Sequence, residues 1–114
     1  MIGEANVMAS PKLTLVDAMT ALSEAGNSSV RLLERPNFDV SVYRPEGLDL
    51  QGPHKRDELY VVASGSGEFT CDGWTEKFRS GDIFFVTAGA AHHFDNFSSD
   101  FSTWVIFFGP RPAS

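Results

Sequence analysis

The spacing of hydrophobic and polar positions changes once along this chain, from helical to alternating. Met1 to Lys12 mixes Gly, Asn, Ser and Pro without any period, so residues 1–12 read as a flexible tail. From Leu13 to Ala25 the spacing is helical. Leu15, Met19 and Leu22 fall at i, i+4 and i+7, Thr14 is placed to cap the first turn, and Gly26-Asn27 can end the last. Residues 13–27 are therefore expected to form a short helical arm whose stripe packs on the rest of the protein or on a partner chain.

After Ser28-Ser29 the period falls to two. Val30 to Glu34 reads as a strand, Pro36-Asn37 as a break, and Phe38, Val40 and Val42 alternate with Asp39 and Ser41. Pro45-Glu46-Gly47 then turns the chain into an expected strand from Leu48 to His54. Further strands are expected at Glu58 to Ser64, Glu68 to Cys71, Trp74 to Arg79, Ile83 to Thr87, His92 to Phe97 and Phe101 to Phe108. Asp72-Gly73 is a two-residue hairpin signal, and Ser80-Gly81-Asp82 another tight turn. Many short strands in residues 28–112 imply an all-β sandwich or closed barrel. Two of these strands, Ile83-Phe84-Phe85-Val86 and Trp104 to Phe108, are apolar on both faces. One face of each needs a cover: the helical arm, the opposing sheet's edge or a second subunit. A homodimer is expected on that ground.

Composition narrows the function classes. A chain of 114 residues suits one compact domain, and 42% hydrophobic residues with ten Phe imply a wide interior. The formal charge of -6, with nine Lys and Arg scattered along the chain, argues against a nucleic-acid partner. Cys71 is the single cysteine, which excludes an internal disulfide and fits a cytoplasmic setting. No basic start or long apolar segment is present at the N-terminus, and the longest apolar run, Trp104 to Phe108, is too short to cross a membrane, so a soluble, untargeted protein is expected.

Candidate chemistry gathers in two places. His54 and Glu58 lie four positions apart in Q-G-P-H-K-R-D-E-L-Y, and His92-His93 close a second stretch from Gly81 to Asn96. On a straight strand, rising about 3.3 Å per residue, the Cα atoms of His54 and Glu58 would stand roughly 13 Å apart, too far to share an ion. The pairing requires Lys55-Arg56-Asp57 to turn, so that His54 closes one strand and Glu58 opens the next. Asp57 reads as a turn residue rather than a ligand. Lys55 and Arg56 read as solvated, with Arg56 able to reach the mouth of a cavity.

Taken together, the two stretches resemble the cupin superfamily. Gly81, Gly89, His92 and Asn96 match the spacing of the family's second motif, and His54, Glu58 and Gly65 the later part of its first. Two positions depart: Thr87 stands where the family has proline, and Gly52 where it has the first histidine of an H-x-H pair. The resemblance implies a double-stranded β-helix, or jelly-roll barrel, behind the short N-terminal helix. It also implies a divalent metal held by His54, Glu58 and His92, a 2-His-1-carboxylate set that suits Fe(II), Zn, Mn, Ni or Co. Gln51 is the candidate for the missing ligand, although an extended strand would face it away from His54 unless Gly52 permits a bulge.

By the same alternation Tyr60 and Val62 share the face of Glu58, Phe94 and Asn96 share that of His92, and His93 and Asp95 point away. Tyr60 is the candidate catalytic residue, a phenol able to donate to a bound oxyanion or act as an acid. The implied function is a metal-dependent enzyme, dioxygenase- or isomerase-like, acting on a small organic molecule in the barrel. The alternative is a non-catalytic ligand-binding or sensor module.

Overall fold

The computed structural model describes residues 11–49 and 51–110. It contains one helix, α1 (Leu15–Ala25), and eight strands: β1 (Ser29–Arg35), β2 (Phe38–Tyr43), β3 (Asp57–Ser64), β4 (Ser66–Cys71), β5 (Trp74–Arg79), β6 (Ile83–Val86), β7 (His92–Asp95) and β8 (Ser102–Phe108). All pairings are antiparallel. The strands form a five-stranded sheet in the order β1-β2-β8-β3-β6 and a three-stranded sheet in the order β5-β4-β7, packed as a double-stranded β-helix. Among the described residues no helix is long and apolar enough to cross a membrane.

Local chemistry sets the element ends. Thr14 Oγ1 accepts from Asp17 N at 3.1 Å, and Gly26, at φ 68°, closes α1 with its N–H on the Leu22 and Ser23 carbonyls. The Asp72-Gly73 turn joins β4 to β5, with positive φ at both residues as a tight hairpin requires. Gly65 makes the crossing between the sheets possible. Its φ is +83°, and a Cβ there would lie 2.6 Å from the Phe101 Cα.

Alternation places one face of each sheet inward. Tyr60, Val62, Phe69, Phe78, Val86, Phe94, Phe101 and Val105 form the barrel interior, their rings meeting edge to face, as Tyr60 and Phe94 do at 4.9 Å. A second cluster lies outside the five-stranded sheet, where Ala18, Ala21 and Leu22 of α1 pack on Val30, Leu32 and Val42. The helix thus covers the sheet as expected, through a seam shifted onto the alanines, with Met19 at its flank and Leu15 half-buried. Trp104 packs into this cluster, but Ile83 and Phe85, at the other end of the same sheet, stay 60% and 56% exposed.

The expected strand from Leu48 to His54 is absent among its described residues. Gly47 has positive φ and Pro53 lacks a donor, so this segment cannot continue a ladder. It runs past the free edge of β7 and bonds to it through a side chain, with Asp49 Oδ2 accepting from Phe94 N at 2.8 Å. Leu50, the rest of the N-terminal tail before residue 11, and positions 111 and 112 of the expected β domain lie outside the described residues.

Candidate metal centre

Two loops and two strands bring the candidate donors together. The chain bends at Lys55 and Arg56, as expected, but His54 sits in the loop before the bend rather than at the end of a strand. Its carbonyl accepts from Gly89 N at 2.7 Å, so a glycine of the second stretch anchors the histidine of the first. Glu58 follows on β3, and His92 opens β7. Potential ligand atoms of His54, Glu58 and His92 all lie within 4.8 Å of one another.

Arg56 is not solvated. Its side chain is buried, with Nη1 donating to Asp39 Oδ2 at 2.9 Å and Nη2 to the Gly109 carbonyl at 2.7 Å. Both partners are distant in sequence, which is why the local reading placed it in water. The ion pair ties the bend to β2 and to the end of β8, holding His54 and Glu58 on one side of the barrel mouth. Asp57 is not part of the bend: it opens β3 opposite Phe108, and its Oδ1 accepts from Ala88 N at 2.9 Å, tying the strand to the second stretch.

The polar atoms at the centre are mostly acceptors. Glu58 is fully buried, and neither of its oxygens accepts an aligned hydrogen bond. His92 Nδ1 lies 2.8 Å from the Ala90 carbonyl, which can only accept, so Nδ1 carries the proton and the Nε2 lone pair faces inward. That Nε2 stands 2.9 Å from Glu58 Oε1, and His54 Nε2 stands 4.0 Å from the same oxygen. Donors held about 2.1 Å from one ion sit roughly 3–4 Å apart, so both separations suit a shared divalent cation. Two carboxylate oxygens and an imidazole lone pair gathered in a buried space call for a cation or a proton between them.

His92 shows the same demand. Burial lowers its proton affinity, but the Glu58 carboxylate 2.9 Å away, the Ala90 carbonyl and the Asp49 charge outweigh it, and its pKa is raised. Tyr60 is buried among the core rings, with its hydroxyl 2.9 Å from Gln51 Oε1 and 3.0 Å from His92 Nε2. Burial first, and then the Glu58 charge, push its pKa well above the usual phenol range, so it stays protonated and offers a donor.

Other positions divide between the site and the surface. Gln51 reaches the cluster, its Oε1 3.4 Å from His54 Nε2, because the segment that carries it is not an extended strand. Val62 and Phe94 face inward, and His93 pairs outward with Asp95 at 2.9 Å. Asn96 does not share the His92 face. It is exposed, at φ 49°, and its Nδ2 donates to Glu68 Oε1 at 2.7 Å; β7 has ended by then and the alternation with it. Cys71 is half-buried beside the core, opposite His92 across β4 and β7, with its thiol pKa raised by burial and then by Asp72 and Glu58.

Sequence reasoning passed over Asp49. Its Oδ1 accepts from the Tyr43 hydroxyl and from Gln51 N, and its Oδ2 from Gln51 Nε2 and Phe94 N. The available signal was weak: one acid between two leucines, in phase with Gln51.

Comparison with known proteins agrees with this architecture. A family model described as a cupin domain matches residues 40–108. An uncharacterized protein of Streptomyces coelicolor is 34% identical over 84 residues, 72% of this chain and 80% of that protein. Among solved structures, KdgF from a Halomonas species aligns with TM-score 0.63 at 18% identity, covering 75% of this chain and 79% of that one. A predicted oxalate decarboxylase from Thermotoga maritima aligns with TM-score 0.57 at 20% identity, over 71% and 78%. At these identities the two structures speak to the fold alone.

Proposed function

The chain belongs to the cupin family, and from that premise we propose that it is a metal-dependent enzyme acting on a small organic molecule, its divalent ion held by His54, Glu58 and His92. The observation that carries this reading is the buried Glu58 carboxylate, without an aligned hydrogen bond, facing the inward lone pair of His92. A divalent ion bound there supplies Lewis acidity toward a substrate oxygen and, as Fe(II), open positions for dioxygen.

The chain's own residues set the rest. The Ala90 carbonyl fixes the His92 tautomer, and the Arg56–Asp39 pair holds the bend that presents His54 and Glu58. Tyr60, kept protonated, donates a hydrogen bond toward negative charge that develops on a bound substrate, or gives its proton as a general acid. The rings of Phe69 and Phe94 pack against Tyr60 and fill the barrel behind it. Substrate therefore approaches from the side of His54, whose side chain is 35% exposed. A cytoplasmic setting accords with the unpaired Cys71. A homodimer accords with the apolar outer face of β6 and β3, where Ile83, Phe85 and Leu59 are left beyond the reach of α1.

The test is turnover. Metal-loaded wild type and Tyr60→Phe are incubated with panels of small acids, phenols and sugars, with oxygen uptake and product NMR as readouts. Metal-dependent conversion that falls in Tyr60→Phe supports the enzyme. Saturable binding without conversion replaces it with the non-catalytic ligand-binding module.

A further inference from the structure

We infer that Asp49 is a positioning residue that aims the Gln51 carbonyl oxygen at the metal donors, making Gln51 a fourth ligand in place of the histidine absent at Gly52. This rests on the metal site proposed above. A glutamine carboxamide has one accepting and one donating end, and its neighbours decide which end faces which way. Gln51 Nε2 lies 2.9 Å from Asp49 Oδ2. A carboxylate only accepts, so the amide nitrogen must face Asp49 and Oε1 is turned inward. There it meets the Tyr60 hydroxyl at 2.9 Å and stands 3.4 Å from His54 Nε2.

Asp49 is held in turn by every lone pair it has. The Tyr43 hydroxyl and Gln51 N, the latter at 3.2 Å, donate to Oδ1, while Phe94 N at 2.8 Å joins Gln51 Nε2 on Oδ2. Four donors on four acceptor positions leave the carboxylate no freedom to rotate. The anchor also shares an element with the site, since Phe94 lies two residues from His92 on β7. Because the described residues between 48 and 54 form no strand, the parity that would have turned Gln51 away from His54 does not apply. Gln51 further lines a cleft of about 820 Å³ beside the end of α1.

Titration of the full-length chain with Co(II), followed by visible absorption, tests the inference in wild type, Gln51→Ala, Asp49→Ala, the double variant and His92→Ala. The expected result is a 10–100-fold weaker Co(II) affinity in each of Gln51→Ala and Asp49→Ala, with the same spectral change. The double variant should bind no more weakly than Gln51→Ala, because Asp49 acts only through that amide. Unchanged affinity in Asp49→Ala, or a double loss equal to the product of the single losses, overturns it.

Should Asp49→Ala fail to fold, the side-chain amide protons of Gln51 decide, assigned by their loss in Gln51→Ala. Slow exchange and a large Co(II)-induced shift support the inference; free exchange without a shift overturns it. Wild type and His92→Ala binding Co(II) equally would sink the underlying metal site. Loss in His92→Ala alone, with Gln51→Ala unaffected, would sink only the role given to Asp49 and Gln51.

Discussion

Replacing Glu58 with glutamine separates two demands that the native carboxylate meets together. At a pH above the raised value of His92, the metal-free protein sets the lone pair of its Nε2 against Glu58 Oε1 across 2.9 Å with no aligned hydrogen bond on either carboxylate oxygen. An amide introduced there offers an N–H to Nε2. Relief of one unsatisfied buried group is worth about 1–3 kcal/mol, so Glu58→Gln should be more stable than wild type in chelator. At roughly 4–8 °C per kcal/mol for a domain of this size, its melting point rises by about 4–24 °C.

The sign reverses in acid. The raised pKa of His92 means that its protonated form is stabilised by folding. That stabilisation is complete below the ordinary histidine value of about 6.5 and is lost as pH climbs through the raised value. At about pH 6 the imidazolium meets the native carboxylate, and the variant's advantage shrinks or inverts.

Metal works against the variant. At a free metal concentration 100-fold above its Kd, wild type gains about 2.7 kcal/mol. If loss of one of three donors weakens binding about 100-fold, the variant gains only about 0.4 kcal/mol at the same concentration. Circular-dichroism melts at both pH values, with chelator and with Zn(II) or Co(II), read all three effects. A variant less stable than wild type in chelator at the higher pH, or one with an undiminished metal shift, would refute the reasoning.

His54→Ala and His92→Ala should each sharply lower the metal occupancy of the purified protein, read by elemental analysis. His92→Ala should also cost more in thermal stability, because His92 is buried whereas His54 is partly exposed. Gly65→Ala places a Cβ 2.6 Å from the Phe101 Cα at φ +83°, so denaturant unfolding should report a loss of at least about 2 kcal/mol, and a neutral result would mean that the β3–β4 crossing is more pliable than described. Ile83→Lys combined with Phe85→Lys should shift the mass measured by light scattering from dimer to monomer without changing metal content. An unchanged dimer would place the interface elsewhere.

The parts of the fold legible in the sequence were those whose causes are local. Thr14 and Gly26 bound α1, Asp72-Gly73 makes its hairpin, and the spacing from Gly81 to His92 marks the second half of the site. The misreadings arose where distant residues decide. The Leu48 to His54 segment is alternating enough to suggest a strand, but Gly47, Gly52 and Pro53 and the bond from Phe94 N to Asp49 keep its described residues out of any ladder. Arg56 is buried by Asp39 and Gly109, neither of which any window around Arg56 contains. Asn96 lost its expected face because β7 stops at Asp95. The Asp49 network was invisible for the same reason, since a carboxylate with four donors is a property of three segments together.

X-ray absorption on protein loaded with one equivalent of Zn(II) or Co(II) addresses the central claim most directly. Two imidazoles, from His54 and His92, should give nitrogen and oxygen scatterers at about 2.0–2.2 Å with the outer-shell pattern of histidine rings, and that pattern should fall by half in His92→Ala. A shell without histidine, or one unchanged by the substitution, would mean that these residues do not meet around a common ion.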